Sequence, residues 1–199
     1  MTRVPALLAT LVLFSTPVLA TDITVGFSPS GNALKTVLDA INGARTSIDL
    51  AAYSFTSHDI ARALIGAAKR GVHIRIVADE KDNAHSKSSK VPDMQENDIP
   101  VRLNGHYAIM HNKYMVIDGV SVETGSFNYT ASADKRNAEN AIFIQGEPQL
   151  AAIYEQEFDR LWQESSPAAS SGMPSSTSYT YHHKTSTSRT LLRLLKGAL

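Results

Sequence analysis

From residue 22 to residue 79 the chain alternates between runs that suit a buried strand and runs that suit an amphipathic helix. That alternation limits the fold more than any other feature. DITVGFS (22–28) reads as a first strand. Leu34, Val37, Leu38 and Ile41 then recur at helical spacing, with Ser30 as the expected N-cap and Gly43 as the stop. TSIDLAAYSF (46–55) is apolar with polar ends, as in a strand covered on both faces. A second helix pattern follows, capped by Ser57, striped by Ile60, Leu64, Ala67 and Ala68, and ended by Gly71. VHIRIVAD (72–79) alternates as a strand does. Residues 80–98 are polar and loop-like with a short helix expected at their end, and IPVRLN is a weak strand. Two short strands are expected within residues 111–130 and another over 137–146. The domain should close on an amphipathic helix starting near Pro148, with Leu150, Ile153, Phe158 and Leu161 on or near one face. Alternation early and consecutive strands late imply an α/β layered domain with a mixed β-sheet.

The ends read differently. Arg3, the apolar run ALLATLVLF, Pro17 and the small residues of VLA make residues 1–20 a secretory signal peptide, cut after Ala20. The alternative is an uncleaved anchor, but the apolar run is short for a bilayer. Export implies a periplasmic or secreted protein with no stable membrane insertion after cleavage. The folded domain is expected over 21–164. Residues 165–199 are rich in Ser and Thr, carry no acid, and end in RTLLRLLKGAL. They read either as a flexible, dispensable extension or as a basic amphipathic segment for a membrane surface, nucleic acid or partner. No cysteine occurs, which removes disulfides, thiolate metal sites and cysteine nucleophiles. The formal charge is zero, so affinity for a phosphate must come from a local site and not from bulk charge.

Such a site is visible in HNKYMVIDGVSVETGSFNYT (111–130). On a strand, His111 and Lys113 share a face with Met115 and Ile117. An imidazole can serve as nucleophile or proton shuttle, and an ammonium beside it can bind an anion. Gly125 permits close backbone approach, and Ser126 and Asn128 alternate onto one face as donors. Glu139, on the next strand, is placed to hold the His111 ring in one tautomer. Asp118 has the opposite parity and precedes Gly119, so it is expected to brace the turn or a neighbouring backbone.

These residues carry a resemblance. H-N-K-Y-M-V-I-D fits H-x-K-x4-D, G-S-F-N follows after six residues, and Glu139 lies eleven residues past Asn128. Over residues 22–163, including AAYSFT and GVHIRIVADEKDN, the chain resembles the phospholipase D superfamily, in its branch of small bacterial endonucleases with one motif per chain. The resemblance implies a layered α/β/α sandwich and phosphodiester hydrolysis through a phosphohistidine. It also implies a homodimer, because two motifs build one site. The two copies of His111 would act as nucleophile and as general acid and base, while Lys113, Ser126 and Asn128 hold the phosphate. Asp118 would be the structural third letter, with neither metal nor other cofactor required. The substrate expected is DNA, with RNA as a second candidate. The rival readings are a phospholipid hydrolase with the same chemistry and a catalytically silent nucleic-acid-binding module on the same fold.

Other polar residues have plainer readings. His106 and Tyr107 either line the site or sit on a surface loop. His73 is expected on an exposed strand face, and His58 and His85 in solvent. His182 and His183 fall in the tail without a carboxylate or cysteine for a metal. Lys81 and Lys87 either flank a substrate groove or belong to an ordinary charged loop.

Overall fold

The computed structural model describes residues 21–29 and 31–169; the expected signal peptide, Ser30 and most of the tail lie outside them. The elements in order are β1 (Asp22–Ser28), α1 (Asn32–Gly43), β2 (Ser47–Ala52), α2 (His58–Lys69), β3 (His73–Asp79), α3 (Glu80–Asn83), α4 (Val91–Gln95), β4 (Val101–Asn104), β5 (Lys113–Ile117), β6 (Ser121–Gly125), α5 (Ala131–Lys135), β7 (Glu139–Gln145), α6 (Pro148–Glu164) and β8 (Ser166–Pro167). One eight-stranded sheet runs β1-β7-β6-β5-β2-β3-β4-β8. β2, β3 and β4 are parallel, and the remaining pairs are antiparallel. The sheet is therefore mixed, as the order of strand and helix patterns implied.

Helices cover both faces, which gives the α/β/α sandwich. On one face Val37 and Ile41 of α1 and Ile60 and Leu64 of α2 pack with Ile48, Leu50, Ile76, Met115 and Ile117 of the sheet. On the other, Ala151, Phe158 and Leu161 of α6 pack against Ala51, Val77, Tyr114, Val116 and Val122. β2 is buried along nearly its whole length, whereas β3 starts with the exposed His73 and the half-buried Arg75 and is buried from Ile76 onward. Ser57 caps α2 as expected, accepting from Ile60 N at 3.4 Å.

Three expectations need correction. Ile153 was expected near the buried face of α6, but it is 65% exposed. Ala151 and Phe158 mark the face of α6 that packs on the sheet, and Ile153, two residues from Ala151, points roughly 160° away from it at about 100° per residue. The domain also runs past residue 164. Ser165 is buried, accepts from Asn104 Nδ2 at 3.1 Å, and leads into β8 on the edge of β4. The first residues of the Ser/Thr-rich stretch thus belong to the sheet. Finally, residues 80–83 form a helical turn, capped by Asp79 accepting from Asp82 N at 2.9 Å.

Candidate active site

The site lies at one edge of the sheet, where β2 and β3 end and β5 and β7 begin. This is the edge at which open α/β sheets leave a crevice between diverging loops. A cavity of about 680 Å³ opens there, and its lining includes His111, Lys113, Ser126, Asn128 and Glu139. Five of the six residues singled out in the motif therefore meet in one place.

The sixth, Asp118, sits at the far end of β5. Its carboxylate accepts from the backbone N–H groups of Arg45, Thr46 and Ser47 at 2.7–3.1 Å and from Thr46 Oγ1 at 2.9 Å. It ties the hairpin turn to the start of β2, which is the bracing role expected of it. Burial alone raises the Asp118 pKa, but the donors from Ser47, Thr46 and Arg45 outweigh it and hold the carboxyl below its ordinary range. Asp118 and Gly119 both have left-handed backbone, at φ 55° and 66°, and Asp and Gly tolerate that conformation best.

His111 departs from expectation in one respect. The ladder of β5 begins at Lys113, paired with Ala52, so His111 precedes the strand. Asn112 O accepts from Tyr53 N at 2.9 Å, and Met110 N donates to the buried Asp79 at 2.8 Å. The imidazole is thus carried on a short strap pinned on both sides. Lys113 Nζ donates to His111 O at 2.8 Å. Burial lowers the Lys113 pKa, and the nearby Glu139 charge opposes that shift.

β6 delivers the second half. Gly125 is required by close packing: at φ 153°, a Cβ there would lie 2.2 Å from Asn140 O. Beyond it, Ser126 N and Phe127 N both donate to Asn140 O, and Ser126 Oγ accepts from Asn140 N at 3.0 Å. The Ser126 hydroxyl donates to Glu139 Oε2 at 2.6 Å, and Asn137 Nδ2 donates to Glu139 Oε1 at 3.0 Å. Within this chain the Glu139 carboxylate therefore aligns Ser126 and faces Lys113; its hydrogen bonds do not go to His111. Asn128 Oδ1 is buried without a partner among the described residues, a cost that a bound group can offset.

The cavity also takes Ile153, Tyr154 and Glu157 from α6, which the motif does not point to. His106 and Tyr107 do not line it. Tyr107 instead donates to Glu164 at 2.8 Å, and His106 is exposed beside it. His58, His73, His85 and Lys87 are exposed, and Lys81 donates to Ala108 O at 3.1 Å. His182 and His183 lie outside the described residues. Among the described residues, no group of three or more His, Asp or Glu is placed to hold a metal ion.

The family model described as "Cardiolipin synthase, PLD-like domain" matches residues 37–162. The chain is 43% identical over 128 residues to a phospholipase D of Rickettsia bellii, a match spanning 64% of this chain and 63% of that protein, just under two thirds of the relative's length. It is 34% identical over 143 residues to a mitochondrial cardiolipin hydrolase of Xenopus laevis, covering 72% and 67% of the two chains. Among solved structures it is similar to a phospholipase D family member, Nuc from Salmonella typhimurium. That likeness has 40% identity and a TM-score of 0.74, and covers 76% of this chain and all of Nuc. NucT from Helicobacter pylori follows with 25% identity, a TM-score of 0.69 and coverage of 74% and 99%. With His111, Lys113, Ser126 and Asn128 of the H-x-K-x4-D and G-S-x-N motifs gathered at one sheet edge and the family model spanning most of the folded domain, the chain belongs to the phospholipase D superfamily, in its single-domain branch.

Proposed function

We propose that the protein is an exported phosphodiesterase that hydrolyses DNA, and secondarily RNA, at an active site shared by two copies of the chain. The observation that carries this reading is the convergence of His111, Lys113, Ser126 and Asn128 on one cavity, with one motif per chain. A His111 ring nitrogen attacks phosphorus and displaces an alkoxide, which takes a proton from the second copy's imidazolium. Water, deprotonated by that same second imidazole, then attacks the phosphohistidine and releases the first His111. Lys113, Asn128 and Ser126 hold the non-bridging oxygens, with Ser126 turning its hydroxyl from Glu139 to the phosphate. The lysines supply the positive charge that a metal supplies in other phosphodiesterases, so no metal or other cofactor is assigned.

An apolar face beside the cavity supports the pairing of two chains. Ile23, Val25 and Phe27 of β1 are 57%, 43% and 57% exposed, on the sheet face that α6 leaves uncovered. Ile23 and Val25 are in register with Ile144 and Ile142 of β7, and Phe27 pairs with Asn140, the neighbour of the cavity-lining Glu139. An apolar patch that runs up to half of a site suits a second copy that completes it. Phe27→Glu should make the protein monomeric in sedimentation and abolish turnover together.

The kinship to Nuc and NucT and the endonuclease-like motif favour nucleic acid. The Rickettsia phospholipase D relatives and the cardiolipin synthase family model favour the second reading, a phospholipid headgroup. Plasmid cleavage and headgroup release, both assayed in excess EDTA, separate them. Absence of both activities would leave a silent binding module. Export rests on residues 1–20, and N-terminal sequencing of the periplasmic or secreted product tests it.

A further inference from the structure

Tyr53 ends the buried run that forms β2, and its backbone is clamped from two sides. Its N–H donates to Asn112 O at 2.9 Å. Its carbonyl accepts from Asn83 Nδ2 at 2.7 Å, and Asn83, itself 2% exposed, is held further by Asp79 O at 2.8 Å and Phe55 N at 3.1 Å. The Cα from which the Tyr53 ring springs is therefore held in place, and the ring itself is half-buried. Against that ring lies the His111 imidazole, with centroids 4.7 Å apart and planes inclined by 56°. Over it stands the Lys113 ammonium, 5.4 Å from the centroid. By contrast, the His111 side chain is exposed and makes no side-chain hydrogen bond among the described residues.

We propose that Tyr53 is the positioning residue of the site: its ring face sets the His111 imidazole and the Lys113 ammonium in fixed relation before substrate arrives. An aromatic face attracts a cation and presents a flat, stiff surface to an imidazole, so one side chain restrains both motif residues. The hydroxyl is not the working part. The Asp82 charge, then burial and Asp79, raise the Tyr53 pKa from its ordinary value, so the phenol stays neutral, and it is the ring that meets His111 and Lys113. The restraint matters because the strap holds only the backbone around His111 and no side-chain hydrogen bond among the described residues holds its ring, and a nucleophile displaced by an ångström loses much of its rate. The inference rests on the phosphodiesterase reading above.

The experiment compares the full chain with Tyr53→Phe and Tyr53→Leu by two readouts. The first is the His111 ring-proton NMR signal, identified by its disappearance in His111→Ala. The second is kcat and KM on bis(4-nitrophenyl) phosphate, a diester too small to need a macromolecular groove. Tyr53→Leu should remove the ring-current displacement of the His111 signal and lower kcat on the order of 10–100-fold, with KM changed less than about threefold. Tyr53→Phe should keep the signal in place and restore kcat, which also shows that the fold tolerates change at this position. An unmoved His111 signal in Tyr53→Leu overturns the proposal, as does a Tyr53→Phe variant that falls as far as Tyr53→Leu. If the wild-type chain turns over no diester, the phosphodiesterase reading fails, and the NMR comparison alone still decides whether Tyr53 positions His111.

Discussion

The two ends of β5 carry parts of one motif and are held in opposite ways. At the C-terminal end, Asp118 is an acceptor fully used: three backbone N–H groups and a hydroxyl converge on it, and they tie the turn to the start of β2. At the N-terminal end, His111 is exposed and Lys113 spends one hydrogen bond on the backbone, with the rest of its charge turned toward a cavity. The separation is roughly 20 Å along an extended chain, so Asp118 cannot touch a ligand held at His111. A motif read as one unit in sequence is in space a brace and a reactive group joined by a rigid strand. Satisfied polar groups make stability, and chemistry needs polar groups whose bonding is left incomplete.

The contrast breaks most sharply at the reactive end. His111→Ala should lower turnover on the order of 10⁴-fold in steady-state assays. The urea midpoint of the same variant should correspond to a stability change within about 0.5 kcal/mol, since an exposed side chain is lost. At the bracing end the pattern inverts. Asp118→Ala should cost about 2–3 kcal/mol in urea unfolding while leaving kcat near wild type at temperatures where the variant is folded. Equal loss of activity and stability at both ends would erase the distinction.

Glu123 sharpens the comparison from between the two ends. It is 1% exposed on β6 and has one donor, Tyr129 Oη at 2.8 Å, where Asp118 has four. Burial pushes its carboxyl up to about 8, against the Tyr129 hydrogen bond. A raised folded pKa means that its contribution is complete below the ordinary glutamate range and is lost as pH rises toward 8. Wild-type stability should therefore fall from pH 5 to pH 8, with a slope from this group of up to about 1.4 kcal/mol per pH unit, and Glu123→Gln should flatten that slope. Asp118 has the opposite sign. Its depressed pKa contributes stability above the ordinary aspartate range, near pH 3.9, that is lost as pH falls through the lower folded value. Asp118→Asn should thus reduce the acid loss seen below about pH 4, the smallest of these effects.

Much of this was legible in the chain itself. The strand–helix alternation reached the mixed sheet, and the motif spacing reached the residues that line the cavity. Parity even set Asp118 apart from His111. What escaped notice were features that depend on how elements pack on one another. Ile153 matches the spacing of Leu150 and Leu161 but not that of Ala151 and Phe158, which mark the face that is in fact buried, and an apolar stripe this broad does not say which edge of it meets the sheet. Residues 80–83 make a single turn, too short to show a period, so the clamp of Asn83 on Tyr53 was invisible. Tyr53 itself left one signal, an aromatic residue at the C-terminal end of a buried strand, the position where α/β sheets place ligands. Glu139 reached the right cavity, but its partners, Ser126 and Asn137, are chosen by a close approach of two backbones at Gly125 that spacing does not encode.

The most direct test of a half-site completed by a second chain is to co-express wild-type protein with increasing proportions of His111→Ala and to measure total diester hydrolysis in EDTA at a fixed total concentration of chain. If nucleophile and general acid come from different copies, mixed dimers are inactive and total activity falls as the square of the wild-type fraction. A fall in simple proportion to that fraction would mean that each chain works alone, and would contradict the shared site.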